Sequence, residues 1–411
     1  MDKLTILKDY FGYDGLKKEQ EEIIDTILEG RDAIGLLPTG YGKSLTFQIP
    51  ALLFSGLTIV ICPLISLMQD QVEALKDKYI KAEFINSTQD RAMQENIYKR
   101  VLAGNVKILY LAAERLLTNR LLEVALGVEV SLIVCDEAHT LLWSEDFRFA
   151  LGRINEFINR LPNRPPVLAL TATATNNTIE RIEELLELKA PRVVIGDCDR
   201  KNIFYSIIKS KNKDDDLIKI LKADKRKTII YCLTIKSCEH VQELLSKNGI
   251  NSRAYHGRLV NKSKAIIQND FTRGRLNIII CTNAFGMGVD IPDIRLVIEY
   301  DMPASIEDFS QQTGRASRDG KYAEAILLFN LDDIKTIEYF ISSIEENGRG
   351  YRVLRRIKND RLNKMDKMLE LCIGRKCIHK YIANYFGIKH NGHCGMCSNC
   401  VKVKGSKKGR I

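Results

Sequence analysis

The stretch Ser131-Leu132-Ile133-Val134-Cys135-Asp136-Glu137-Ala138-His139 is an apolar run that ends on two adjacent carboxylates. A short run of aliphatic residues without polar alternation fits a strand buried on both faces, the kind found in parallel sheets. Two acids at the end of such a strand are suited to holding Mg²⁺ and polarising a water beside a nucleotide phosphate. Asp136 is the candidate Mg²⁺ ligand, and Glu137 the residue that orients and deprotonates the water. Trp143, the single tryptophan of the chain, follows closely with Asp146-Phe147-Arg148. An aromatic and a basic group at that place let a stacked base sense the state of the phosphates.

Similar apolar runs lie on either side, at 57–62, 107–112 and 167–171, then at 228–232, 277–281 and 296–299, with helix-like segments between them. This alternation predicts an α/β protein with two tandem parallel sheets, each covered on both faces. The first set ends near Gly196 and the second begins near Ile203. From about Ser342 the strand signal gives way to basic, helix-like sequence and then to a cluster of cysteines. The expected division is 1–200, 201–341 and 342–411. A cleft between two α/β units is a usual place for a ligand.

At 411 residues, 45% hydrophobic and 28% charged, the chain has the make-up of a globular protein with two medium domains and a smaller appendage. It has no long uncharged run, and Met1-Asp2-Lys3-Leu4 carries mixed charge without an apolar signal region. A cytoplasmic location without membrane insertion is therefore expected. Cys62, Cys135, Cys232 and Cys281 fall in apolar runs, where a reduced thiol acts as a small hydrophobe. The formal charge of +10 is unevenly placed: residues 351–411 hold 16 Lys or Arg against three acids, whereas residues 1–350 hold 46 bases and 49 acids. A basic end of this kind favours a polyanionic partner such as nucleic acid.

Four further motifs carry chemistry. Leu37-Pro38-Thr39-Gly40-Tyr41-Gly42-Lys43-Ser44 resembles a Walker A loop with Leu37 in place of the leading glycine. Backbone N–H groups of Thr39, Gly40 and Gly42 would cradle phosphates, Lys43 would neutralise them and Ser44 would ligate Mg²⁺. Thr171, Thr173 and Thr175 follow another apolar run and would present hydroxyls to the same cleft. In Gln311-Gln312-Thr313-Gly314-Arg315-Ala316-Ser317-Arg318, the two arginines would share one face if helical. Placed across a cleft, Arg315 and Arg318 would stabilise charge developing on a transferred phosphoryl group. Finally, Cys377, Cys394, Cys397 and Cys400 supply four thiolates, with Gly392 and Gly395 available for tight turns. Zn²⁺ suits the set; the closely spaced triplet also resembles a ferredoxin segment, although position 404 is Lys.

In this order the motifs resemble the RecQ family of superfamily 2 DNA helicases over residues 4–401. Phe11-Gly12-Tyr13 with Lys17 and Gln20 looks like that family's adenine-recognition segment. The stretches from Cys62 to Gln71 and from Tyr110 to Leu116 match its strand-tracking motifs, and Thr282 to Asp290 matches a motif whose Asp290 would approach the ribose. Thr140-Leu141-Leu142 is one residue shorter than the usual link to the tryptophan, and Ser317 stands where glycine is common. The resemblance implies two RecA-like sheets and a small helical zinc-binding domain, with ATP, Mg²⁺ and Zn²⁺ as cofactors and Gln311 among the nucleotide contacts. It further implies a 3′→5′ DNA helicase of recombination and repair, coupled to single-stranded DNA through Trp143, Phe147 and Arg148. Single-stranded and tailed or forked DNA, and a single-stranded-DNA-binding protein, would be its partners; it would act as a monomer in the cytoplasm, associated with the nucleoid. The alternative is a DNA-binding or annealing module with a DNA-stimulated ATPase and little unwinding, since the family's winged helix does not follow. RNA is a second substrate class open to such a backbone reader.

Overall fold

A computed structural model describes residues 2–38, 40–63, 65–86, 88–138, 145–172, 176–197, 199–283, 285, 291–345, 351–388, 390 and 392–401; for 65, 66, 145–152, 176, 177 and 261 only the backbone is described. The chain divides into two compact units, Met1–Asp197 and Cys198–Ile411.

The first unit is built on β1 (Ala33–Leu36), β2 (Leu57–Ile61), β3 (Ala82–Ile85), β4 (Ile108–Leu111), β5 (Val130–Cys135), β6 (Val167–Thr171) and β7 (Arg192–Ile195), in the order β3-β4-β2-β5-β6-β1-β7. The second holds β8 (Ile203–Lys209), β9 (Thr228–Tyr231), β10 (Arg253–Tyr255), β11 (Ile278–Cys281), β12 (Leu296–Glu299) and β13 (Ala323–Phe329), in the order β10-β11-β9-β12-β13-β8. Neighbouring strands within both sheets are parallel. All seven apolar runs read from the sequence are strands, and the four cysteines placed in them are buried. Strands β1, β3, β7, β8, β10 and β13 carry weaker signals in the sequence. In β1 a glycine interrupts only four residues and packs closely: a Cβ on Gly35 would come within 2.7 Å of the end of the Leu170 side chain and 2.8 Å of that of Ile23, which would have to shift.

Beyond β13, helices Asp332–Ser342, Tyr351–Ile373 and Ile378–Tyr385 share one core with the second sheet, where Met365, Met368, Leu371 and Ile378 join Ile203, Tyr205 and Phe309. The cysteine loop closes the free edge of β8. Tyr205 N–H donates to the Met396 carbonyl at 3.1 Å and Ile207 N–H to Ser398 Oγ at 3.4 Å. Unpaired strand edges invite pairing with other chains, and a covering loop removes that hazard.

One buried carboxylate ties the entry ends of three strands of the first sheet. Asp32, 2% exposed, accepts two bonds from Arg164 at 2.9 and 2.7 Å, one from Val167 N–H at 2.9 Å and one from Lys189 N–H at 2.7 Å. Removing a partner from a buried pair leaves the remaining donors without compensation. Asp32→Ala is expected to destabilise the first unit by about 3 kcal/mol, measured from the shift of its urea unfolding midpoint; a loss below about 1 kcal/mol would show that the carboxylate is not an anchor.

Candidate active site

The loop leaving β1 turns on two glycines in the left-handed region, Gly40 at φ 78° and Gly42 at φ 84°. A Cβ on Gly42 would also stand 2.5 Å from Gln20 Nε2, so a larger residue there would be strained and would displace the Gln20 amide. The loop runs into helix Leu45–Leu53, whose N-cap, Ser44, makes no side-chain capping bond. The backbone N–H groups at this helix start favour negative charge beside the Ser44 hydroxyl.

The segment at 13–20 meets this loop from helix Lys18–Leu28. Gln20 Oε1 accepts from Lys17 N–H at 2.9 Å, and Gln20 Nε2 donates to the carbonyls of Tyr41 at 2.8 Å and Gly42 at 3.2 Å. The Lys17 ammonium lies 3.9 Å from the centre of the Tyr41 ring, and the Tyr41 hydroxyl donates to Glu19. Tyr13 stands 56% exposed. Tyr41 was not singled out from the sequence; an aromatic residue between the glycines of a phosphate loop was the available signal.

At the end of β5, Asp136 N–H extends the pairing with β2 by donating to the Ile61 carbonyl at 2.9 Å. The chain then turns at Glu137, which adopts φ 49°. A left-handed conformation at a residue with a side chain costs roughly 1–2 kcal/mol. The turn brings Glu137 Oε1 to 3.2 Å from Lys43 Nζ, with both side chains largely buried. Burial pushes the Asp136 carboxyl up to about 6, the neighbouring Glu137 adds to the shift, and the Lys43 ammonium opposes it. Lys43 and the adjacent Asp136 and Glu137 are thus brought together. A buried carboxylate with a like charge beside it is a group that gains from a divalent cation, so Asp136 and Ser44 fit Mg²⁺.

Thr171 is buried, and its carbonyl accepts from Leu37 N–H at 3.0 Å, which joins the exits of β6 and β1. Thr39, Trp143, Thr173, Thr175 and Asp290 lie outside the described residues. Phe147 and Arg148 lie on helix Glu145–Arg160, described there by backbone alone.

In the second unit, the expectation that Arg315 and Arg318 share a helical face is corrected. Helix Ile306–Thr313, which carries Gln311, ends at its C-cap Gly314, and residues 314–319 form turns. Arg315 is 6% exposed and Arg318 is half-buried. Burial holds the Tyr231 phenol far above its usual range, and the guanidinium charges of Arg315 and Arg318 oppose that shift. Ser317, in the position where glycine is common, is fully buried at φ 49°.

Two residues that had not been read from the sequence hold this loop. The Arg200 guanidinium donates to the carbonyls of Gly314 at 2.9 Å, Ala316 at 2.8 Å and Ser317 at 3.0 Å. Asn202 Nδ2 donates to the carbonyls of Ser317 and Lys321, both at 3.1 Å. The charged stretch Asp199-Arg200-Lys201-Asn202 just before β8 was the only visible sign.

The four thiolates converge. The Sγ atoms of Cys377, Cys394, Cys397 and Cys400 all lie within 4.8 Å of one another, and those of Cys394 and Cys400 are 3.8 Å apart. A tetrahedral zinc with bonds of about 2.3 Å sets its sulfurs about 3.8 Å apart. Backbone N–H groups of Ile378 and Met396 point at Cys397 Sγ and Cys394 Sγ at 3.5 and 3.3 Å, stabilising thiolate charge. Gly392 and Gly395, at φ 83° and 70°, make the turns between ligands. The donor set fits zinc in a closed structural site, and Cys372 packs apart from it in the core.

Three stretches match known families: residues 17–182 the DEAD/DEAH box helicases, 212–320 the helicase conserved C-terminal domain, and 331–401 the RecQ zinc-binding family. The ATP-dependent DNA helicase RecQ of Bacillus subtilis is 35% identical over 97% of this chain and 67% of its own length. The ATP-dependent DNA helicase RecQ of Haemophilus influenzae is 36% identical over 97% of this chain and 63% of its own length. The chain therefore spans about two thirds of the curated relatives it matches. Among solved structures, the DUF1998 helicase MrfA bound to DNA has a similar fold, with a TM-score of 0.68 at 18% identity over 99% of this chain and 57% of that one.

Purified with its metal, the protein is expected to hold about one zinc per chain, and Cys397→Ser to lose it, as read by atomic emission. Stoichiometric zinc in that variant would overturn the four-thiolate assignment.

Proposed function

The chain belongs to the RecQ family of helicases, and from that premise we propose that it is an ATP-dependent DNA helicase that moves 3′→5′ along single-stranded DNA and unwinds tailed or forked duplex. The observation that carries this reading is the approach of Lys43 to Glu137 at 3.2 Å, beside the buried Asp136. In our assignment Lys43 neutralises the β and γ oxygens of ATP, and Glu137 takes a proton from the attacking water. Ser44 and Asp136 hold Mg²⁺, which when bound supplies charge stabilisation on the phosphates. Thr39, Gly40 and Gly42 lend backbone N–H groups, Tyr13, Lys17 and Gln20 receive the base, and Asp290 and Gln311 receive the rest of the nucleotide. Arg315 and Arg318 stabilise the charge that develops on the transferred phosphoryl group.

Trp143, Phe147 and Arg148 are assigned to sensing the bound strand. We take residues 1–200 and 201–341 as two RecA-like domains and 342–411 as a zinc-binding domain whose basic residues add to DNA affinity. A monomer working in recombination or repair at the nucleoid, alongside a single-stranded-DNA-binding protein, is the setting that fits this activity.

Strand displacement on 3′-tailed and 5′-tailed DNA, with and without ATP, tests the proposal. Separation of the 3′-tailed substrate alone, and only with ATP, is the expected result; duplex that is bound but stays paired would favour an ATP-gated binding or annealing module. Lys43→Ala should reduce hydrolysis to background while DNA binding survives. In Trp143→Ala, basal hydrolysis should persist and most DNA stimulation should vanish, and equal stimulation in variant and parent would remove the sensor role.

A further inference from the structure

We propose that Asp199 and Arg200 are positioning residues through which the cysteine-held segment fixes the loop carrying Arg315 and Arg318. The inference rests on the reading of those two arginines as charge-stabilising groups in ATP hydrolysis.

These consecutive residues face opposite ways along one short path. Asp199, with its side chain 7% exposed, meets two imidazoles of the cysteine segment: Oδ1 lies 2.6 Å from His379 Nδ1, and Oδ2 lies 3.2 Å from His390 Nε2. His379 is itself fixed. Its Nε2 lies 3.2 Å from the carbonyls of both Ile203 and Met396, and its ring meets Tyr205 edge-on at 4.8 Å between centres. Met396 sits between two thiolate ligands, Cys394 and Cys397. The metal site therefore sets the position of the Met396 carbonyl, which orients His379, which in turn holds Asp199.

One peptide bond further on, Arg200 reaches three carbonyls within four residues of the arginine loop. A guanidinium offers its donors in a rigid fork, so three acceptors on one fork define the loop backbone more narrowly than separate contacts would. The loop requires such support, because it lacks regular structure and contains the left-handed Ser317. Strained backbone persists only where surrounding contacts over-determine it. A second contact runs in parallel: Lys364, on helix Tyr351–Ile373, pairs at 3.3 Å with the buried Glu307 on the helix that leads into the loop. Lys364 thus holds the helix that ends at Gly314, while Arg200 holds the carbonyls of Gly314, Ala316 and Ser317 beyond it.

The loop backbone carries Arg315 and Arg318, so a small shift of the loop should lower turnover more than nucleotide affinity. Arg200→Ala is expected to reduce kcat for DNA-stimulated ATP hydrolysis by about tenfold or more, with KM within about threefold. Arg200→Lys, which keeps the charge but not the fork, should fall between the two. The decisive readout is hydrogen exchange of the full-length, zinc-loaded protein over residues 314–321. Asp199→Asn should keep its zinc and still exchange faster there than the parent, and His390→Asn, which removes only the outer partner, should give a smaller increase. Withdrawal of zinc from the parent by a chelator should open the same peptide. Unchanged exchange over 314–321 in Asp199→Asn and His390→Asn, with zinc retained, would overturn the coupling. Arg315→Ala that hydrolysed ATP at the parent's rate would instead sink the catalytic reading of the arginines, whatever the exchange result.

Discussion

A parallel sheet buried on both faces leaves one place for polar chemistry, the loops that leave the carboxyl ends of its strands. The first sheet obeys that constraint, whereas the backbone of the arginine loop in the second is held near strand entrances, at Ile294 and Asn202. In the first, β1 and β5 are separated only by β6, so the phosphate loop and the acid pair emerge on the same edge although nearly a hundred residues lie between Lys43 and Glu137. The ion pair between them keeps two partly desolvated charges compensated. Asp136 makes no ion pair among the described residues; its raised pKa records burial first and the neighbouring Glu137 charge second, with Lys43 opposing both. That shift makes the site receptive to a divalent ion.

Among the described residues, Tyr79, Glu137, Glu187, Ala190 and Ser317 combine a side chain with positive φ, and two of them adjoin the charged groups already described. Glu137 and Ser317 both hold positive φ, and both sit where a strand or helix must turn abruptly to aim charged neighbours. Each costs roughly 1–2 kcal/mol, and each is surrounded by fixing contacts. Asp136 Oδ1 accepts from Glu137 N–H at 3.0 Å, and Ser317 N–H donates to the Ile294 carbonyl at 2.8 Å. Glycine at 317 would relieve the strain and also remove the Ser317 hydroxyl, which donates to Asp319 at 3.1 Å.

What could be read from the sequence was whatever depends on local pattern. Continuous aliphatic runs gave seven strands, because burial on both faces leaves a composition signal that does not depend on partners. The four thiolates were legible because their short spacings have few other uses. Parts of the phosphate and acid motifs were legible for the same reason. Arg200 and Asn202 were not, since the groups they bind are backbone carbonyls more than a hundred residues away, and carbonyls have no sequence signature. The helical face drawn through Arg315 and Arg318 failed at Gly314, where the helix stops one residue before the first arginine. β1 was missed because its glycine, which lowers strand propensity, is kept for close packing against Leu170 and Ile23.

Edges remain the weak points of open sheets, and the two sheets treat them differently. In the first, β7 leaves Val193 and Ile195 at 37% and 38% exposure, on a strand only four residues long. In the second, β8 is seven residues long, and its edge groups at Ile203, Tyr205 and Ile207 are met in turn by His379, Met396 and Ser398. The loop that does this is rich in glycine, cysteine and asparagine and contributes little besides its cysteines to the core. Such a loop cannot hold its shape by hydrophobic burial, and a closed thiolate site gives it a fixed shape without a core of its own. Long-edge closure and the fixing of Asp199 are then one arrangement: the contacts that cover β8 also set the residues at its entrance, and through Arg200 the arginine loop beyond them.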